Sequence, residues 1–337
     1  MIAQIPATIS DEELRSAIRE ANLPTLLIVL TQLGEGDGLL DIDERPSRGT
    51  IDGTHRITEA GKANIRDRAF SVLTKLRDGI IQLPHLPDHG RLQQLAGLLV
   101  GESVAPEYIP MLLEDMGLSA YAEHAHQTED GPPQTSTTEQ LSSLIIGCGV
   151  SGICMAVHLS RLGLPYTIIE KNASPGGTWF ENTYPGCGVD SPNHFYSFSF
   201  EPNHDWPDFY SKREELYDYL DTIVDKYDVR PHVRFNTEVV SARYQSANRC
   251  WHVKTKDDQG MLTDLQATFL ISAVGQLNRP LIPDIAGKDT FAGTQFHSAR
   301  WDHDENLINA RIGVIGTGAS AMQIIPEIAP QAKQLTI

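Results

Sequence analysis

Three glycines have the spacing of a nucleotide-binding turn. Gly147, Gly149 and Gly152 form a G-x-G-x-x-G pattern between the apolar run 144–146 and an apolar-periodic stretch that ends at Gly163. In such a turn the first glycine permits the tight bend, the second lets the backbone approach a pyrophosphate, and the third lets helix and strand pack closely. The helix that follows begins with free N–H groups, which bind phosphate.

An acidic residue lies at the distance that such a turn requires. The segment YTIIEK predicts a second strand that ends in Glu170, which is 170 − 149 = 21 residues after Gly149. A carboxylate there can accept hydrogen bonds from a ribose diol and repels a 2′-phosphate, which favours FAD or NAD over NADP. We also assign to this site the polar residues Ser151 and Lys171.

A second glycine-rich turn follows near residue 316. In RIGVIGTGASAMQIIPEIA, the run 312–315 predicts a strand, and Gly316, Gly318 and Ala321 occupy the three fingerprint positions, where alanine is an accepted third residue. Ser320 lies at the predicted start of the helix and is assigned to the same site. Two such turns in one chain predict two bound nucleotides.

Residues 174–200, SPGGTWFENTYPGCGVDSPNHFYSFSF, are rich in glycine and aromatic side chains. Many of these aromatics fit a hydrophobic core. The sharper interpretation is that Gly177, Thr178 and Trp179 shape a loop against a large flat cofactor. Asp190 is then expected in an apolar, aromatic surround, where a carboxylate must be paired with a cation or be neutral. A loop-capping aspartate is the alternative.

The segment FAGTQFHSARWD matches the pattern F-x-G-x-x-x-H-x-x-x-W-[P/D], with Phe291, Gly293, His297, Trp301 and Asp302 at its fixed positions. Taken alone, His297 would more often be a structural, hydrogen-bonding histidine. The segment lies just before the second glycine-rich turn, so it is expected to connect two domains.

Together these motifs resemble the FAD domain and signature of the Baeyer–Villiger monooxygenases. The wording GGTWFENTYPG, followed by VD, PNH and YSFSF, resembles the 4-hydroxyacetophenone monooxygenase branch, which carries an extra N-terminal region. The resemblance covers residues 144–337. It implies FAD in the first site, NADPH in the second, and conversion of a ketone and O2 to an ester.

The resemblance also implies roles for individual residues. Gly275, in FLISAVGQLNRP, lies in the strand and turn that return under the flavin. His297 couples cofactor binding to domain movement, and Asp190 is the catalytic candidate, since it would tune an active-site arginine. The alternatives are an N- or S-oxygenating flavin monooxygenase, against which Trp301 and Asp302 argue, or a non-catalytic nucleotide-binding fragment.

Two features depart from the family pattern. Gly188 stands where the pattern Y-P-G-x-R-x-D has arginine, which removes a cation near Asp190. The resemblance also implies further sequence after Ile337, including that arginine of the active site. We therefore expect a truncated chain of impaired activity, with apolar surface left uncovered near Val314, Ile324 and Ile328.

Composition restricts the class of partner. The 337 residues include 27 Lys and Arg against 44 Asp and Glu, a net charge of −17. Such an acidic chain is a poor ligand for nucleic acid or anionic membranes, and no apolar run approaches a membrane span. The four cysteines show no C-x-x-C spacing and predict reduced thiols in the cytoplasm. The histidines 85, 89, 124 and 126 are scattered and predict no metal site.

The predicted fold class is α/β: a Rossmann-like FAD domain and the start of an NADP domain, behind an all-α N-terminal module. Helix signals include a capping box at Ser10 and Glu13, Pro24 at a helix start, and apolar periodicity from Thr58 to Arg77 and from Leu92 to Val100. The predicted divisions are a helical module, which could form a homodimer, a polar linker, the FAD domain, an interdomain segment and an incomplete NADP domain: 1–126, 127–143, 144–290, 291–309 and 310–337.

Overall fold

The computed structural model describes residues 5–6, 8–33, 57–82, 89–100, 103–115, 141–193, 195–277 and 279–337. The chain divides into two compact units, Met1–Ala125 and His126–Ile337. Most of the predicted linker, and the histidines at 85, 124 and 126, lie outside the described residues. In the described part of the chain, no helix is both long and apolar enough to cross a membrane.

The described part of the first unit is helical, as predicted. Its helices are α1 (Asp11–Glu20), α2 (Leu23–Gln32), α3 (Glu59–Arg77), α4 (His89–Val100) and α5 (Ile109–Asp115). The predicted capping box is present, since Ser10 and Glu13 cap α1 reciprocally. At the start of α3 the Thr58 side chain accepts the Gly61 amide, a cap that was not predicted. Apolar residues one helical turn apart face inward and form one core, which includes Leu14, Ile18, Leu30, Ile65, Ala69 and Val72.

A four-stranded parallel sheet organises the second unit. Its strands lie in the order β3-β2-β1-β7, and their bounds are β1 (Ser143–Ile146), β2 (Tyr166–Ile169), β3 (Val233–Arg234) and β7 (Phe269–Ser272). Its helices are α6 (Val150–Arg161), α7 (Thr178–Glu181) and α8 (Arg213–Lys226). The apolar run 144–146, the predicted strand in YTIIEK and the expected strand at the start of FLISAVGQLNRP all form strands of this sheet. Because β1 lies between β2 and β7, its carboxyl end opens where ligands bind in such sheets.

A three-stranded antiparallel sheet was not predicted. Its strands pair in the order β4-β5-β6, with bounds β4 (Thr237–Gln245), β5 (Cys250–Asp257) and β6 (Leu262–Ala267). The signals were present in tight turns, one at Arg249 with φ +52° and one at Gly260 with φ +85°, between runs of alternating polarity. Val253 and Ala267 pack with Leu144 and Ile169 in a small core cluster.

The last part of the chain forms a strand, helix and strand: β8 (Arg311–Gly313), α9 (Ala319–Ile328) and β9 (Gln334–Thr336). The expected uncovered apolar surface is present beside Val314 and Ile324, where Ile315 and Met322 are 79% and 69% exposed, but Ile324 and Ile328 are not themselves part of it. Ile324 and Ile328 are buried and belong to the main core of the second unit, while Val314 is partly buried. The physical reason is that α9 packs directly on the loop that contains Gly186.

Candidate functional site

The first glycine-rich turn has the geometry that its pattern predicts. Gly147 has φ +101°, and a Cβ built on it would lie 2.7 Å from the carbonyl oxygen of Ala273, the residue after β7. A Cβ on Gly152 would lie 2.0 Å from the carbonyl oxygen of Gly147. Side chains are therefore excluded at both positions, and β1, α6 and β7 approach one another more closely than any other residue would allow.

The middle glycine faces a second glycine across the mouth of this turn. A Cβ on Gly149 would lie 3.5 Å from the Cα of Gly177, and one on Gly177 would lie 3.0 Å from the Cα of Gly149. Gly149 is also the N-cap of α6 and has no side chain to cap it, and the first intrahelical bond runs from the Ile153 amide to the Gly149 carbonyl. The amides before Ile153, including that of the exposed Ser151, have no acceptor within the helix. They can bind phosphate.

Glu170 closes this site at the end of β2. It is 4% exposed, and its two carboxylate oxygens accept the backbone amides of Cys148 at 2.7 Å and Asn172 at 2.8 Å. These bonds hold the end of β2 against the glycine turn. Each oxygen has a further lone pair, so the carboxylate can still accept a hydroxyl group.

A second carboxylate, missed in the sequence, lies nearby on α7. The Glu181 side chain is 8% exposed, pairs with Lys171 at 2.9 Å and with Arg300 at 3.3 Å, and accepts the side-chain amide of Asn172 at 3.0 Å. Burial acts to raise the pKa of Glu181, but the hydrogen bonds from Asn172 and Lys171 outweigh it and hold the pKa below its ordinary value. Lys171, which we assigned to the first site, thus forms an ion pair with Glu181.

The GGTW segment is built partly into the core. Gly177 has φ +53°, and Thr178 begins α7. The indole of Trp179 is buried, donates its N–H to the Tyr196 hydroxyl at 3.1 Å and meets that ring edge-on. The core interpretation therefore holds for the Trp179 side chain, while Gly177 and Thr178 lie beside the glycine turn.

The expectation that Asp190 lies in an apolar surround is wrong. Asp190 is exposed, whereas its neighbour Val189 is buried. Gly188 forms a β-bridge with Lys212, and the Val189 amide donates to the Ser211 carbonyl. In such an extended segment successive side chains alternate in direction, so Val189 points inward and Asp190 outward.

Gly188, which replaces the arginine of the family pattern, lies where the neighbouring backbone leaves little room for a side chain. A Cβ there would lie 2.8 Å from the Ser211 carbonyl oxygen and 3.5 Å from the Lys212 Cδ. The backbone is thus too close to its bridge partner for a side chain without movement, and a lysine passes beside the position where the family pattern has arginine.

The second glycine turn repeats the backbone of the first. Gly316 has φ +115°, and the cap residue Gly318 has φ −76° and ψ −175°, against −89° and −167° at Gly149. Ala321, in the third position, is buried. Ser320 lies in the first turn of α9 and hydrogen-bonds the Tyr184 hydroxyl.

Gly275, assigned to the first site, has φ +73° in the turn after β7.

The motif at 291–302 has mainly structural contacts. A Cβ on Gly293 would lie 2.7 Å from the Phe291 ring, and the His297 Nδ1 accepts the Ala299 amide at 3.1 Å. Trp301 packs on the core of the second unit, and Asp302 accepts the Asp304 amide in a local turn. His297 thus has the structural role that its sequence allowed.

Two residues outside the predicted site, Tyr184 and Gln323, join the loop at 184–188 to α9, the helix that follows the second glycine turn. The Tyr184 hydroxyl donates to the Gln323 Oε1 at 2.9 Å, and the Gln323 Nε2 donates to the Gly188 carbonyl at 2.8 Å. Burial raises the pKa of Tyr184 to about 12. The only signal in the sequence was the position of Tyr184 in the Y-P-G motif.

The site holds no reactive thiol or metal cluster in its described part. Burial raises the pKa of Cys148, between the two glycines, to about 12, so the thiol is neutral and inert at ordinary pH. Among the described residues, no group of three or more His, Cys, Asp or Glu could hold a metal ion. The two glycine turns, each before a helix start with no side-chain cap, are the arrangement in this unit that can bind nucleotides.

Comparison with known proteins agrees with this arrangement. Residues 140–337 match the family of flavin-binding monooxygenase-like proteins, and the chain belongs to that family. A Baeyer-Villiger monooxygenase of Streptomyces coelicolor is 44% identical over 200 residues, which are 59% of this chain and 38% of that protein. An uncharacterized monooxygenase of Sinorhizobium fredii, y4iD, is 32% identical over 324 residues, which are 95% of this chain and 47% of that protein. Similarity thus extends into the helical unit.

Solved structures show the same fold. The crystal structure of OTEMO in complex with FAD and NADP has a TM-score of 0.54 at 38% identity, covering 58% of this chain and 38% of that chain. The closed crystal structure of cyclohexanone monooxygenase has a TM-score of 0.53 at 37% identity, covering 58% of this chain and 37% of that chain. The predicted α/β class with Rossmann-like nucleotide-binding turns is confirmed. The chain spans less than half the length of these proteins.

Proposed function

We propose that this chain provides the FAD-binding part, and the start of the NADPH-binding part, of a Baeyer–Villiger monooxygenase that converts a ketone and O2 to an ester. The observation that carries the proposal is the glycine cradle formed by Gly149 and Gly177 at the uncapped start of α6. Relatives named as Baeyer-Villiger monooxygenases at 44% and 38% identity support the reaction class.

The residues present fit FAD at the first turn. The absence of Cβ atoms at Gly149 and Gly177 lets the two backbones approach each other closely, and the helix amides beside them can bind a pyrophosphate. Glu170 keeps acceptor capacity for a ribose hydroxyl and would repel a 2′-phosphate. Ser151, Thr178 and Gly275 are the further residues that we assign to this site, while the ion pair between the exposed Lys171 and the buried Glu181 side chain fixes the loop that follows β2.

The second turn fits a second dinucleotide for the same reasons. Gly316 and Gly318 leave open space around the backbone, since a Cβ on either would meet no atom within 4 Å. Ser320 and the first-turn amides of α9 are the groups that would contact the phosphates. We assign NADPH to this turn.

The chain's residues bind and orient, and the cofactors supply the chemistry. FAD, reduced by NADPH, supplies the reaction with O2 that inserts an oxygen atom beside the carbonyl carbon. The glycine turns place the two dinucleotides, and Trp179 and the buried aromatics behind it keep the loop rigid. Asp190 is exposed, and we propose that it contacts the catalytic arginine that the family resemblance implies.

Three narrower proposals follow from the family resemblance. The protein belongs to the 4-hydroxyacetophenone monooxygenase branch, His297 couples cofactor binding to domain movement, and the helical unit forms a homodimer. The GGTWFENTYPG wording supports the 4-hydroxyacetophenone branch and hence an aryl ketone. A homodimer through the helical unit is tested by measuring the mass of the protein in solution.

Product analysis tests the function. The protein is supplied with FAD, NADPH and O2, and an aryl ketone, an amine and a sulfide are offered in parallel. Ester formation from the ketone is the expected result. Oxidation of only the amine or the sulfide would identify the N- or S-oxygenating alternative, and FAD binding with no product from any substrate would favour a binding role.

A further inference from the structure

One loop in the second unit has contacts at both glycine turns. It begins at Gly177, which faces Gly149, and runs through α7 to Gly188, whose carbonyl accepts the Gln323 side chain on α9. FAD bound at the first turn would contact the start of this loop. The far end of the loop contacts α9, the helix that begins at the second glycine turn.

Besides the hydrogen bond between Ser320 and the Tyr184 hydroxyl, four side-chain interactions among the described residues join this loop to the segment 291–309 and to α9. Two of them are exposed: Thr183 with His303 at 2.8 Å, and Glu181 with Arg300 at 3.3 Å, where the Arg300 side chain is 51% exposed. Such surface interactions contribute little to stability. The remaining two are the partly buried hydrogen bonds from Tyr184 to Gln323 and from Gln323 to Gly188. These two dominate because burial strengthens them.

The backbone at Gly186 shows how tightly the helix and loop are joined. Gly186 has φ +76°, and a Cβ there would lie 2.6 Å from the Gln323 carbonyl oxygen and 2.9 Å from the Glu327 Cγ. Tyr184 and Gly186 of the Y-P-G motif therefore both contact α9. Because Gln323 bonds the loop through both its oxygen and its nitrogen, it fixes the helix in rotation as well as in distance.

We propose that Gln323 is the positioning residue that transmits occupation of the first dinucleotide site to the helix of the second, through Tyr184 and Gly188. The inference rests on the proposed binding of FAD at the first turn. FAD would order the loop from Gly177 onward, and the two bonds of Gln323 would carry that order to α9. The second turn is then best arranged for its own dinucleotide only when the first is filled.

Hydrogen exchange with and without FAD tests the inference on the whole chain. In the wild type, FAD is expected to slow exchange in residues 147–153, in residues 184–190 and in α9. The slowing in α9 should be about 2- to 10-fold, the range of one net hydrogen bond. Gln323→Met should keep the first effect and lose the effect in α9.

Gln331→Met is the matched control, since Gln331 is exposed and its Nε2 donates only to the Glu327 carbonyl on its own side of the helix. It should behave as wild type. Tyr184→Phe removes the hydrogen bonds of the Tyr184 hydroxyl to Gln323 and Ser320 but keeps the bond from Gln323 to Gly188, so it should reduce the effect in α9. It replaces Gln323→Met if that variant does not fold.

Equal slowing of α9 in wild type and in both test variants would overturn the inference, as would no slowing of α9 in a wild type whose residues 147–153 respond to FAD. If residues 147–153 do not respond at all, the proposed function fails, and the inference fails with it.

Discussion

Cys148 lies between two essential glycines and has no chemical role that its surroundings allow. It is fully buried, and desolvation raises the pKa of its thiol to about 12. Burial also raises the pKa of Tyr184 and of Tyr219 to about 12. Each group keeps its proton in the folded protein at a pH where the unfolded chain would release it.

These shifts predict a loss of stability at alkaline pH. Because the folded-state pKa values lie above the unfolded ones, the stabilisation is complete below about pH 9 and is lost as pH rises towards about 12. Each group contributes at most about 1.4 kcal/mol per pH unit. Urea unfolding followed by tryptophan fluorescence measures this loss, since all four tryptophans lie after residue 140.

Cys148→Ala is the control for the alkaline prediction, and its urea midpoint should fall less steeply with pH than that of the wild type. A midpoint that stays constant or rises between about pH 8 and about pH 11 would contradict the assigned burial.

At the scale of elements, the Y-P-G loop and α9 determine each other's position. Gly186→Ala should destabilise the second unit by about 1–3 kcal/mol, since the new Cβ would overlap the Gln323 carbonyl. The matched control is Gly260→Ala, which has a similar positive φ of +85° but meets only the Lys256 Cε at 3.9 Å. Urea unfolding by tryptophan fluorescence compares the two, and equal losses would show that backbone strain alone is responsible.

Elements with local signals could be predicted from the sequence, and those set by long-range packing could not. The strands and helix around Gly147 follow from glycine spacing and apolar periodicity, and the cap at Ser10 follows from its partner Glu13. The exposure of Asp190 depends on a bridge between Gly188 and Lys212, which are distant in sequence. Burial of Ile324 likewise depends on Gly186, far earlier in the chain, so periodicity alone could not reveal it.

The candidate site was predictable to a similar degree. The roles of Gly147, Gly149, Gly152 and Glu170 could be predicted because their spacing is typical of a nucleotide-binding turn. Those of Glu181 and Gln323 could not, because glutamate and glutamine are common on helix surfaces and only the fold brings them to Lys171 and Tyr184.

At the scale of the whole molecule, the sequence predicts that residues 127–143 are a polar linker between the helical module and the FAD domain. The chain has no Lys or Arg between residues 101 and 140, so trypsin cannot cut there, whereas a glutamate-specific protease can cut after Glu129 and Glu139. We expect that protease to release an intact fragment ending at Ile337, identified by its mass. Earlier cleavage within the sheet of the second unit would contradict the predicted division.

The central claim is that the unpaired amides at the start of α6, where Gly149 faces Gly177, bind the pyrophosphate of FAD. Titration of FAD into the protein, followed by flavin fluorescence, tests it most directly. The wild type and Gly313→Ala, whose new Cβ would meet no atom within 4 Å, should bind FAD equally. Gly149→Ala should fold, since its Cβ would make an ordinary 3.5 Å contact, but should bind FAD at least about tenfold more weakly, or about 1.4 kcal/mol. Equal binding by all three proteins, or no binding by the wild type, would contradict the claim.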